Sequence, residues 1–256
     1  SKLKNVAIMA ALLFLANIFS AGGNVLNYIA DLAFQAGDID KALAAFGWYG
    51  ALEVVAGVCF YESHWVLAIH YWKTATNTPK VLRKEHFEPT STQKAVYWIG
   101  VALSAVTPAA AYYFAAKWDV KVLHGKLTKT IKIMNDVSEA ALYTVLIVIG
   151  AVSIVSVIRI NRFMQTLPSN QRINVKALLI HAGAFGLFLV SAVIFTIAYV
   201  FYNLYPDSQT IYKYYVIALL VFDVLGFFSE CCICYVFWHL GTKVERNQPT
   251  ENQSKD

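Results

Sequence analysis

Charge is what this 256-residue sequence has least of. Only 14% of its residues are charged, while 58% are hydrophobic. A soluble globular domain carries roughly 25% charged residues. The shortfall argues against a water-soluble core, and the apolar residues come in long blocks of membrane type. Cysteine is also scarce. Cys59, Cys231, Cys232 and Cys234 all lie inside apolar blocks, so an extracellular disulfide framework is not indicated. The Cys231, Cys232, Cys234 run reads as small packed hydrophobes in preference to a metal site, with reversible acylation as the alternative. The chain has no GxSxG elbow, HExxH helix, HxxxH pair or GxxxxGK loop. A retinal protein needs a lysine at mid-depth in its last helix, and the lysine there, Lys213, lies at the outer end. The sequence therefore supports no enzyme, catalytic residue, metal or cofactor. The net charge of +5 comes from basic residues in short loops, where they orient a membrane protein. Membrane lipids are the expected partners, and nucleic acid is not.

What remains is six blocks long enough for a membrane helix, which needs about 20 apolar residues. They run Val6–Phe34, Leu43–Trp72, Ala95–Ala116, Val137–Ile160, Ala177–Tyr205 and Tyr212–Leu240. The first is too long for a secretory signal and lacks a clear cleavage site. Gly22, Gly23, Asn24 and Asn27 make its outer half polar and suited to packing against protein. Pro108 is placed to kink the third. The fourth is rich in Val and Ile, but a strand of that length would be atypical, and a lone strand in lipid leaves its backbone unsatisfied. The fold class is thus all-α, a multi-pass transmembrane helix bundle with six spans. No repeat or linker divides residues 1–241, which read as one domain. Residues 242–256 form a polar, flexible tail.

Lys and Arg are unevenly shared between the two sides. One side collects Lys2, Lys4, Lys73, Lys80, Arg83, Lys84, Lys94, Arg159, Arg162, Arg172, Lys176, Lys243, Arg246 and Lys255. The other has Lys41, Lys117, Lys121, Lys126, Lys129, Lys132 and Lys213. The richer side is expected to be cytoplasmic, which puts the carboxy terminus inside. The lysine-rich segment VKVLHGKLTKTIKI on the poorer side reads as a solvated loop, with a hairpin or a surface-lying amphipathic stretch as alternatives.

Ionisable groups inside a membrane are costly and are functional candidates by default. They are Glu53, Glu62, His64, His70, Glu139, His181, Asp223 and Glu230. Asp223 and Glu230, seven apart, share a helix face, as do Glu53 and His64, eleven apart; Glu62 lies nearly opposite them. A central polar site built on Glu53 and Asp223, with Glu230 and His64 nearby, would take a cation, an amine or a proton. The competing reading is plain interhelical hydrogen bonding. His64 and His70 lie towards the inner end of their span, where water reaches. The tryptophans and the tyrosines from Tyr199 to Tyr215 read as an aromatic belt, or alternatively as the roof of a ligand pocket.

The segments ESHWVLAIHYWK (from Glu62), VIRINRF (from Val157) and CICYVFWHLGTK (from Cys232) carry a resemblance. They resemble the inner helix ends of seven-helix membrane proteins of protists, a group similar in outline to seven-helix receptors and to plant tobamovirus-multiplication-like proteins. The resemblance implies a seventh helix upstream of Ser1. It also implies a receptor-like role with an outer ligand pocket and an inner partner surface of Glu62, His70, Arg83, Lys84, Arg159 and Arg162. The D/E-R-Y, NPxxY and CWxP motifs of G-protein-coupled receptors are absent. Two other functions compete with the receptor: an accessory subunit of a larger membrane assembly, bound to other membrane subunits or a cytoplasmic partner, and a cation- or proton-coupled transporter.

Overall fold

Three residues make the first turn. The chain leaves α1 (Lys2–Gln35) through Gly37, whose φ of 77° is left-handed and favours glycine. The Gly37 N–H donates to the Phe34 carbonyl at 3.0 Å and the Asp38 N–H to the Ala33 carbonyl at 2.9 Å, a Schellman closure. Asp38 then caps α2 (Ile39–Leu82), its carboxylate accepting the Lys41 N–H at 3.1 Å. Helix α3 (Ser91–Leu123) opens on a capping box. Thr90 Oγ1 accepts the Gln93 N–H at 3.2 Å, and Gln93 Oε1 accepts the Thr90 N–H at 3.1 Å. Helices α4 (Lys129–Thr166), α5 (Lys176–Leu204) and α6 (Gln209–Arg246) complete the chain.

This computed structural model describes residues 2–82, 90–123, 129–168, 175–205 and 208–246, with side chains described over 8–77, 90–117, 129–168, 175–202, 204–205 and 208–236. Among the described residues the fold is all-α, and each of the six helices is long and apolar enough to cross a membrane. The chain is a multi-pass integral membrane protein.

The helices outrun the apolar blocks that mark them. At 1.5 Å per residue, the 44 residues of α2 span about 66 Å, roughly twice a hydrocarbon core of about 30 Å. A block ends where lipid ends, but a polar helix continues in water. The lysine-rich segment is accordingly not a simple loop or hairpin: its residues up to Leu123 extend α3, those from Lys129 open α4, and 124–128 lie outside the described residues. Likewise α6 carries on through Arg246, so the start of the polar tail is helical and its remainder lies outside the described residues. Helix α3 passes through the buried Pro108 as one element. Proline has no N–H, so the Ser104 carbonyl loses its helical donor there.

The chain divides into two compact units, Ala7–Ser153 and Ser1–Val6 with Ile154–Asp256. In the first, α2 and α3 pack closely through glycines. A Cβ on Gly50 would meet Ala116, one on Gly57 would overlap the Tyr112 ring, and one on Gly100 would overlap the Trp65 indole. In the second, α5 and α6 are joined by rings. Phe185 stacks on Phe188 (centroids 5.9 Å), Phe188 meets Phe222 (5.0 Å), Phe222 meets Phe195 (5.3 Å), and Phe195 meets Tyr215 (5.7 Å). Tyr215 then stacks on Tyr202 at 4.9 Å. Helix α4 buries one stripe along its length, from Asn135 and Ser138 through Leu142, Leu146, Ile149 and Ser153 to Val157 and Ile160. Its spacing of three and four residues is that of one helix face.

Candidate functional site: polar groups at membrane depth

Helix α2 carries most of the buried polar chemistry of the first unit. Glu53 is half-buried on the seam with α1. Its Oε1 lies 3.5 Å from the Ser20 hydroxyl, and a Cβ on Gly23 would stand 2.7 Å from that same oxygen. Glycine at 23 thus opens the space that the carboxylate fills, and Tyr49 closes the niche from the preceding turn. Nine residues on, Glu62 faces α3 instead, where it meets the Ser104 hydroxyl. That hydroxyl also has acceptors on its own helix, the Gly100 carbonyl at 2.8 Å and the Val101 carbonyl at 3.2 Å, so Glu62 competes with them for its single proton.

His64 is only 2% exposed, so water does not reach it as its place near a helix end suggested. The reason is that most of α2 is enclosed here: Tyr61, Ser63, Trp65, Leu67, Ala68, Ile69 and Tyr71 are all buried, and only the face of Glu62, Val66 and His70 is half-buried. His64 Nδ1 lies 2.8 Å from the Phe60 carbonyl, which calls for the ring proton on Nδ1 and leaves Nε2 as the acceptor of the neutral ring. Tyr61 is buried, with Tyr112 of α3 and Tyr143 of α4 near it. His70 is half-buried, and its carbonyl accepts the Thr74 hydroxyl at 2.9 Å.

The second unit holds the other acidic candidates. Asp223 is exposed on α6, among the exposed Leu220, Val224 and Phe227. Glu230 is half-buried, and Ser229 beside it is buried. Cys232 is buried and Cys231 and Cys234 are exposed. His181 is buried and stacks on Phe185 at 5.9 Å and 14°. Among the described residues no group of three or more His, Cys, Asp or Glu is placed to hold a metal ion. Arg159 and Arg162 are exposed on α4, while Arg83 and Lys84 lie outside the described residues.

The structure therefore brings Glu53 to Ser20 and Glu62 to Ser104, and it gives each of Glu53 and Asp223 a setting in its own unit. Ser20, Ser104 and the Tyr61, Tyr112, Tyr143 cluster were not singled out by the sequence. A hydroxyl inside an apolar block carries no signal until the partner helix is known. Replacing Ser104 by Ala is expected to lower stability by about 0.6 kcal/mol, the average for interhelical hydrogen bonds in membranes, and by no more than about 1.7 kcal/mol, the largest such value. Unfolding in mixed detergent–SDS micelles would read the loss, and a Ser104→Ala protein as stable as the parent would remove the Glu62 contact from the interface. Compared with known proteins, the chain matches no family model, no curated protein and no solved structure.

Proposed function

We propose that this chain is an accessory subunit of a larger membrane protein assembly, with the face of α6 around Asp223 covered by another membrane helix. The observation that carries this reading is Asp223 itself. It lies at the middle of the candidate span Gln209–Val236, exposed, with no hydrogen bond or ion pair to another described residue. Phe227, 67% exposed, and Val224 flank it. An aspartate facing lipid at mid-depth costs about 2.5–3.5 kcal/mol on insertion scales. A neighbouring helix offering a cation or a hydrogen-bond donor offsets that cost, and apolar flanks seal the contact. In this reading the carboxy terminus is cytoplasmic, on the side richer in Lys and Arg.

The test is the composition of the native particle. Purified from its own membrane into lipid nanodiscs, the protein should run as a stoichiometric complex, and Asp223→Leu should release the partner while the chain itself still inserts. A single chain surrounded only by lipid would overturn the reading. Saturable binding of a small ligand to that lone chain would favour the receptor-like alternative, and cation-dependent flux would favour the transporter.

A further inference from the structure

We infer that α1 pairs in parallel with α1 of a second copy of this chain, along the stripe Asn17, Ala21, Asn24 and Tyr28. Three faces of α1 follow from three consecutive positions, each repeated every seven residues. Ala16, Gly23 and Ala30 are buried, and Gly23 meets Tyr49 and Glu53 of α2. Ile18, Val25 and Leu32 are exposed at 49%, 59% and 47%, an apolar face fit for lipid. Between these two faces lie Asn17, Asn24 and Asp31, which are exposed as well. Ala21, Tyr28 and Gln35, all exposed, fall on the same side. Among the described residues of α1 the exposed polar side chains are thus gathered on one side of the helix.

Depth makes that side a poor match for lipid. Asn17 and Asn24 each lie within about 7 Å of the midpoint of the candidate span Ile8–Gln35, inside a hydrocarbon core of about 30 Å. Asparagine has no long apolar stem, so it cannot reach the headgroups from there as lysine and arginine do. Asn24 has no hydrogen bond to another described residue. Asn17 Nδ2 donates to the Leu13 carbonyl of its own helix at 2.9 Å. An amide turned to hydrocarbon leaves donors and an acceptor unsatisfied. Pairing across helices is how membrane proteins satisfy such side chains.

The stripe fits a second copy in its spacing, symmetry and chemistry. Its steps alternate between four and three residues, the 3.5-residue repeat that keeps one face towards a partner helix along its whole length. Copies of one chain share one orientation in the membrane. A two-fold axis along the bilayer normal therefore sets α1 parallel to its copy, with Asn17 and Asn24 each opposite the identical residue. An amide both donates and accepts, so two identical asparagines satisfy each other. Ala21, between the two layers, lets the helices approach closely. Asp31 lies about 14 Å from the midpoint, at the edge of the core, where water reaches both copies of the carboxylate. The same symmetry does not serve Asp223, because a carboxylate at mid-depth repels its own copy. The α1 pairing thus goes beyond the accessory-subunit reading and does not rest on it.

Photobleaching of the fluorescently tagged full chain in liposomes, over a range of protein densities, counts the copies in each particle. Two are expected. Asn24→Leu should weaken the association at least tenfold, and Asn24→Gln, which keeps the amide, should retain it. Oxidative cross-linking reads the face and serves if Asn24→Leu fails to fold. Ala21→Cys and Asn24→Cys should join two chains well above the parent, whose four native cysteines set the blank, and Ile18→Cys and Val25→Cys should not. A chain that stays single at every density, a dimer indifferent to Asn24→Leu, or equal cross-linking from the Ile18 and Val25 face would overturn the pairing. Cross-linking of Asn24→Cys only to a different chain in the native membrane would give the stripe to another subunit and overturn the second copy. A dimer of this chain with no other protein would overturn the accessory-subunit reading and support this one.

Discussion

Replacing Gly100 by alanine is expected to destabilise the first unit by about 2–3 kcal/mol, although the change adds one methyl group to a helix that favours alanine. The added carbon would occupy the space of the Trp65 ring. Trp65 is buried, and its Nε1 is held by the Tyr97 carbonyl on the same helix that presents Gly100. The indole therefore cannot swing away without losing that hydrogen bond, and α3 cannot back off without opening the seams at Gly57 and Gly50. Interiors at crystal-like density transmit such a shift and do not absorb it. The clash also makes a double-mutant prediction. Trp65→Leu alone leaves a cavity, but in the Gly100→Ala background it relieves the overlap. The two changes together should cost at least about 1 kcal/mol less than the sum of the single changes. Unfolding in SDS mixed micelles measures all three variants. Strict additivity would show that the glycine and the indole do not share this space.

The spans could be read from sequence because lipid imposes one demand, about 20 apolar residues with every backbone group satisfied internally. The helix ends could not be read the same way. Hydropathy falls at Trp72 and Ala116, but α2 continues to Leu82 and α3 to Leu123, since lysine, threonine and asparagine in solvated helix need no apolar partner. The turn at Gly37 and Asp38 and the box at Thr90 and Gln93 use cap chemistry that is local in sequence.

Depth and pairing were harder to read than identity. The list of intramembrane ionisable residues is short, and Glu53 stood out as the mid-membrane acid because it lies within a long apolar block. Only the match of α2 to α3, through Gly50, Gly57 and Gly100, shows which α3 residues each carboxylate is level with, and it sets Glu62 opposite Ser104. That match depends on glycines that one-dimensional periodicity treats as interruptions. His64 illustrates the same limit: counted along the helix it nears the inner end, yet the enclosure of α2 from Tyr61 to Tyr71 keeps it dry. The polar outer half of α1 was legible as composition. That Gly23 lies under Glu53 while Asn24 is exposed follows from the angle of the seam, which composition does not contain.

Phe188→Ala should be the most damaging single truncation of α5, at about 2–3 kcal/mol. The side chain is buried, it links Phe185 to Phe222, and it lies against Gly226, where an added Cβ would stand 3.2 Å from its ring. Lipid tails are as apolar as phenylalanine, so the loss here comes from the cavity and from missing dispersion contacts, not from exposure to water. That places the effect at or just below the lower end of the range of about 3–5 kcal/mol known for aromatic truncations in soluble cores. Phe188→Leu should recover most of the volume but not the ring geometry, leaving a residual deficit of about 0.5–1.5 kcal/mol. Phe201→Ala, on an exposed face of the same helix, should change stability by less than about 0.5 kcal/mol. Hydrogen exchange of the protein in nanodiscs can locate the damage as well as size it. Faster exchange confined to α5 and α6 would mean that the aromatic ladder holds its own unit together. A Phe188→Ala protein with parental exchange in both helices would mean that the α5–α6 contact is held by something other than these rings.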